Sequence, residues 1–171
     1  CFGQRMRIDA AHEELVGSTE AQRFVFPGLL TNTRWRGLAV YEDRIEATGL
    51  NAPWFDGVQV REGGSVPRFR IEDAPPAMFA GPGGARVREA LATLKWFAND
   101  RLYVEATGPG WWRVCDARYS MPRHDFGGLF CWHLEPGSEA WPVRKDEGGK
   151  KSASLTQLLP WSKLEGYAPV E

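Results

Sequence analysis

Asp116 and Arg118, two positions apart in the run Trp111 to Tyr119, are the residues of this sequence best placed to do chemistry. The run reads as a strand, and side chains two apart on a strand share a face. Asp116 and Arg118 are therefore expected together, beside Trp112 and Val114. An acid and a base among apolar neighbours form a partly buried ion pair. Such a pair costs desolvation and is kept for register, for structural specificity or for a site. In a pocket between helix and sheet, Asp116 would act as acid or base and Arg118 as an anion clamp, with His124 or His133 assisting. The structural use is the commoner one.

No other residues approach a recognised catalytic spacing. His12-Glu13 opens like the zinc-protease pattern His-Glu-x-x-His, but Val16 stands where the second histidine is needed. Two imidazoles one helical turn apart are what chelation from a helix requires, so His12 is expected on a solvated helix face. His124 and His133 are the candidates for a metal site built from scattered ligands, with Asp125 placed to orient an imidazole. Nothing in their spacing demands such a site. Cys115 and Cys131 lie in apolar, strand-like runs, where a thiol behaves as a small hydrophobe. Three cysteines without a Cys-x-x-Cys spacing suit a reducing compartment, and a Cys115–Cys131 bridge stays open. Gly81-Pro82-Gly83-Gly84 lacks the Lys-Ser/Thr of a phosphate loop and reads as a plain helix start.

Trp35-Arg36 and Trp111-Trp112-Arg113 interleave aromatic and cationic groups. Stacking of single-stranded nucleic acid by such a pattern also needs a basic groove. With 21 basic against 22 acidic residues and a net charge of −1, no field steers a polyanion toward the chain. Nucleic-acid binding is disfavoured, and core packing with cation–π contacts explains the pattern.

The elements that position these groups follow from periodicity and turn residues. Ile8, Ala11 and Leu15 mark one stripe of a helix from Gln4 to Val16, stopped by Gly17. Arg23 to Phe26 reads as a short strand. Trp35 to Tyr41 and Arg44 to Thr48 read as a hairpin turning at Glu42-Asp43, and Trp54 to Val60 as a further strand. Arg61 to Gly84 is rich in Gly and Pro and reads as a connection, with a strand at Val66 to Glu72. A second helix runs from Ala85 to Ala98 with Val87, Ala90, Leu91, Leu94, Phe97 and Ala98 on its apolar face; Arg86, Arg88, Glu89 and Lys95 lie largely on the other. Strands at Leu102 to Ala106, Trp111 to Tyr119 and Leu129 to Leu134 follow, with a loop at Ser120 to Gly128.

The expected fold is α+β: an antiparallel sheet built from two helix-plus-β-meander halves, with helices packed on it. Residues 1–136 are expected as one domain, 1–17 being its leading helix. Residues 137–171 read as a polar tail with at most a short helix at Ser154 to Leu159. Among the 171 residues are eight Trp and nine Phe, a heavy aromatic load for a packed core or a sticky surface. No apolar run nears the roughly 18 residues of a membrane helix. The chain starts at Cys1 inside a helix-like stretch, so it reads as a fragment following a membrane segment not present here.

The run Trp96-Phe97-Ala98, Tyr103, then Trp112-Arg113-Val114 and Asp116-Ala117-Arg118-Tyr119 resembles the membrane-bound metal-dependent hydrolase family, the YdjM-like proteins of the bacterial inner membrane. Pro27, Trp35-Arg36, Phe126-Gly127 and the strand to Leu134 extend the likeness over Gln4 to Pro136. The resemblance implies a soluble C-terminal portion on the cytoplasmic side, partnered by its own membrane portion, with homo-oligomerisation open. It implies a divalent metal such as zinc in the parent protein, with the metal-binding motif in the membrane portion and none in this fragment. Trp35, Arg36, Trp112, Asp116, Arg118 and Tyr119 carry over as pattern positions without an assigned catalytic role. The expectation is an accessory or regulatory domain with no complete active site. The alternatives are a hydrolase using Asp116 and Arg118, or a module binding a small molecule or lipid headgroup.

Overall fold

The computed structural model describes residues 2–28, 31–119, 130–140, 142–145 and 168–169. The expected loop at Ser120 to Gly128, with His124, Asp125 and Phe126-Gly127, and the expected helix at Ser154 to Leu159 lie outside the described residues. The chain forms two compact units, residues 1–65 with 151–171 and residues 66–150. Each has its own antiparallel sheet with a helix on it, so the α+β class holds, with two sheets in place of one.

In the first unit, α1 (Phe2–Val16) is followed by β1 (Gln22–Pro27), β2 (Arg34–Val40), β3 (Arg44–Asn51) and β4 (Gln59–Pro67). They pair in sequence order, and β9 (Ala168–Pro169) adds to β4. Helix α1 stops where Gly17 takes φ +58° and its N–H bonds to the carbonyl of Glu13 at 3.1 Å, a conformation cheap only for glycine. The buried stripe is Gln4, Ile8, Ala11 and His12, not one running through Leu15, which is 42% exposed. Polar residues hold this face because each has a place there. The Gln4 carboxamide donates to the carbonyl of Ala52. His12 fills a hollow over Gly37 of β2, where an added Cβ would lie 2.4 Å from its Cδ2. Ile8 packs with Val25, Leu50 and Ala52, flanked by Trp35, Val58 and Val60.

The hairpin β2–β3 forms as expected, with Arg36 opposite Gly49 and Leu38 opposite Ala47. The strand expected at Trp54 to Val60 begins only at Gln59, because Trp54 to Asp56 bend away. Arg7 of α1 holds that bend by donating to the carbonyls of Pro53, at 3.0 Å, and Asp56. Strand β4 then runs into the Gly-rich stretch read as a connection. Gly63 lies so close to β3 that a Cβ would sit 1.4 Å from the carbonyl oxygen of Ala47. The strand expected at Val66 to Glu72 is the end of β4 followed by a 3-10 turn at Ile71–Asp73.

In the second unit, a second 3-10 turn at Pro76–Phe79 leads into α2 (Gly84–Phe97), β5 (Leu102–Gly108), β6 (Trp111–Asp116), β7 (Cys131–Leu134) and β8 (Val143–Lys145). The sheet order is again sequential. Val87, Leu91 and Leu94 of α2 pack with Met78, Leu102, Val114 and Leu134 in a dry core. The stretch beyond Pro136, read as a tail, supplies β8 and β9 to the two sheets. Both units thus run helix, then four-stranded meander, and Trp35-Arg36 and Trp112-Arg113 fall on the second strand of each. No helix among the described residues is long and apolar enough to cross a membrane.

Substituting Gly63→Ala should cost about 1–3 kcal/mol or more, since the obstacle is strand backbone and cannot swing aside. Gly57→Ala meets nothing within 4 Å and should stay within about 0.5 kcal/mol of the parent in urea denaturation.

Candidate functional site

Asp116 and Arg118 do meet, but not as alternating strand residues. Strand β6 ends at Asp116, and the chain turns so that the N–H of Tyr119 bonds to the carbonyl of Asp116 at 3.1 Å. The turn folds Arg118 back onto its neighbour. Its backbone N–H donates to Asp116 Oδ1 at 2.9 Å, its Nε reaches both carboxylate oxygens at 3.1 and 3.0 Å, and its terminal nitrogen lies 2.6 Å from Oδ2. The same terminal nitrogen donates to the carbonyl of Phe97 at 2.8 Å. Asp116 is 0% exposed and the Arg118 side chain 16%. The bond to Asp116 raises the Arg118 pKa further above the usual guanidinium value, against the opposing effect of burial.

This pair lies where α2 ends. Asn99 and Asp100 take φ of 48° and 62°, and their N–H groups bond to the carbonyls of Trp96 and Lys95 at 3.1 and 2.9 Å. That is a Schellman stop, with Asn and Asp where glycine is usual. The carbonyl of Phe97 belongs to the unpaired set at a helix C-terminus, and a guanidinium there also meets the negative end of the helix dipole. Arg118 sits 5.2 Å from the ring centroids of both Phe97 and Tyr119, and Tyr119 packs on Phe130 at 4.4 Å. Arg68 holds the following turn through Asp100 Oδ2 at 2.7 Å. Arg101, buried beside the pair, has its pKa lowered by desolvation and by the charge of Arg118.

Cys115 and Cys131 are bridged. The two residues lie directly opposite in β6 and β7 with Cα atoms 4.1 Å apart. The next ladder bond, from the N–H of Asp116 to the carbonyl of Phe130, makes the cysteines a non-hydrogen-bonded pair, the kind whose side chains come closest. The spacing left this bridge open, because the strand register that brings the two cysteines together is not visible in it. Closing a loop of this length is worth about 3 kcal/mol in the chain-entropy account. It also anchors both ends of the segment that carries Arg118 and Tyr119.

The remaining candidates stand apart. His133 on β7 lies between Arg113 of β6 and Arg144 of β8, two cationic neighbours that oppose a dication there. Among the described residues no group of three or more His, Cys, Asp or Glu could hold a metal. Arg113 bonds to Glu105 at 3.3 Å, and Trp112 packs against the core. Trp35 donates from its indole to the carbonyl of Asn32 at 3.1 Å, while Arg36 lies on β2 of the other unit, partly exposed. The pattern positions of the resemblance therefore divide between the two units, and only Asp116, Arg118 and Tyr119 form one cluster. Gly81 to Gly84 is a plain helix start, its Gly83 N–H taken by the carbonyl of Pro136 at 2.8 Å.

Sequence reasoning missed an open cleft of about 520 Å³ between α2 and the β7–β8 edge. Arg86, Glu89, Thr93 and Leu94 of α2 line it together with Trp132 and Val143. Of these helix positions, Arg86 and Glu89 read in the sequence as part of the polar face and Leu94 as part of the apolar one. Their signal was the i, i+3, i+7 spacing of Arg86, Glu89 and Thr93, which becomes legible once Trp132 is known to face the same helix.

His12 departs from its expected solvated position, being 2% exposed. Burial first, and then the charge of Arg23, lower its pKa below the ordinary 6.5, with Asp9 opposing.

No family model, no curated protein and no solved structure matches the chain.

A depressed pKa in the folded state means that the unfolded chain binds the proton more readily. The contribution of His12 should be complete above pH 6.5 and decline as pH falls from there through the folded-state value. Denaturation of the parent and of His12→Gln at about pH 7.5 and 5.5 checks this: part of the parent's loss should vanish in the variant.

Proposed function

We propose that this chain is an accessory domain that holds no complete active site of its own, working beside the membrane portion of a larger metal-dependent hydrolase of the kind it resembles. The observation that carries the reading is the state of Asp116. The carboxylate best placed to act as acid or base is wholly buried, and both its oxygens accept from Arg118. Such a carboxylate has no oxygen aimed at a substrate, and Arg118 spends its fork on Asp116 and on the end of α2. The alternative, a hydrolase built on these two residues, would require both to be released from each other.

A small-molecule binding role is favoured by a separate observation, the cleft between α2 and the β7–β8 edge. It falls in the size range of ligand sites and mixes an indole with aliphatic and charged groups. The bridge between Cys115 and Cys131 favours an oxidising compartment over the cytoplasmic side implied by the resemblance. The near-balanced charge leaves nucleic acid an unsuitable partner, and self-association stays compatible with the exposed Trp96 and Trp111. Any metal belongs, in this reading, to the membrane portion of the parent protein.

The purified chain, incubated with zinc, manganese or magnesium and desalted, should retain less than one equivalent of metal and hydrolyse neither ester nor amide substrates. One equivalent retained together with metal-dependent hydrolysis would overturn the accessory reading.

A further inference from the structure

We propose that the cleft between α2 and the β7–β8 edge binds a zwitterionic small molecule with an apolar body, of the amino-acid type. The inference rests on the binding role suggested above and names its ligand class. Arg86 and Glu89 both line the cleft from one stripe of α2, with Cβ atoms about 5–6 Å apart at this spacing. They do not pair with each other. Arg86 instead donates to the carbonyl of Glu139 at 3.0 Å, which fixes the guanidinium at the N-terminal end of the cleft. Glu89 has no ion pair among the described residues. The Thr93 hydroxyl is spent on the carbonyl of Glu89 at 3.1 Å, so it supplies no donor to a ligand.

The charges select among ligands. Arg86 and Glu89 are the charged side chains that line the cleft. Arg86 opposes a plain amine, while Glu89 opposes a plain carboxylate. A molecule carrying both groups satisfies both sides. Its carboxylate lies toward Arg86, in the first turn of α2, where the positive end of the helix dipole also acts. Its ammonium lies one turn further along, at Glu89, within reach of the Trp132 indole face. The body between them covers Ala90, Val143 and the Trp132 ring, half-buried apolar groups that lose water on binding.

Isothermal titration calorimetry of the whole chain with L-phenylalanine and L-leucine, and with the single-charge analogues phenethylamine and 3-phenylpropionate, tests this. Saturable one-site binding of an apolar amino acid is expected, about tenfold weaker for each analogue and in each of Arg86→Gln and Glu89→Gln. Both substitutions fall at exposed positions, so unchanged thermal unfolding should accompany the loss. Absence of saturable binding by either amino acid would overturn the ligand class. So would an affinity indifferent to both substitutions, or an analogue that binds as tightly as the zwitterion. Any of these outcomes leaves the accessory reading to be judged by metal retention and hydrolysis.

Discussion

A carboxylate removed from water must find its hydrogen bonds inside the protein, and among the described residues the Asp116 carboxylate finds them in Arg118. Three requirements meet in that contact. The buried acid needs a counter-charge, the last turn of α2 needs a donor for the carbonyl of Phe97, and the chain leaving β6 needs a fixed direction. One guanidinium answers all three, which ties helix to sheet at the end where β5 begins. The disulfide one residue back holds β6 against β7, so the turn carrying Arg118 is braced from both sides. The rest of the second unit follows from this anchoring. Leu91 and Leu94 of α2 share one buried core with Val114 and Leu134 of the sheet that the clamp joins to the helix end.

The same contact explains why the residues with the most chemical promise do not form an open site. Charge in a protein interior is costly unless paired, and breaking such a pair is worse than never having had it. Here the pairing consumes both partners. The proposed ligand surface lies elsewhere, along the outer stripe of α2, where exposed charged groups line a cleft together with Trp132.

Much of this was legible in the sequence, and the exceptions share a cause. Helix periods, the hairpin at Glu42-Asp43 and the α+β class follow from local pattern and turn chemistry, which need no knowledge of partners. The pairing of Asp116 with Arg118 was foreseen, but on a strand rather than across a turn, because the end of β6 depends on where its neighbours stop. His12 looked like a surface residue until Gly37, 25 positions away, proved to offer it a hollow. Leu15 looked buried until Gln4 found the carbonyl of Ala52 and set the helix face differently. The bridge and the cleft likewise depend on register and on which helix covers Trp132. Each is a long-range fact that spacing along the chain does not contain.

A double-mutant cycle on Asp116→Asn and Arg118→Met, read by urea denaturation, tests the clamp most directly. Each single variant should lose about 3–5 kcal/mol, and the double variant clearly less than their sum, giving a coupling of about 1–3 kcal/mol. Losses below about 0.5 kcal/mol that simply add would contradict the account, since the pair would then be free of structural duty and open to catalysis.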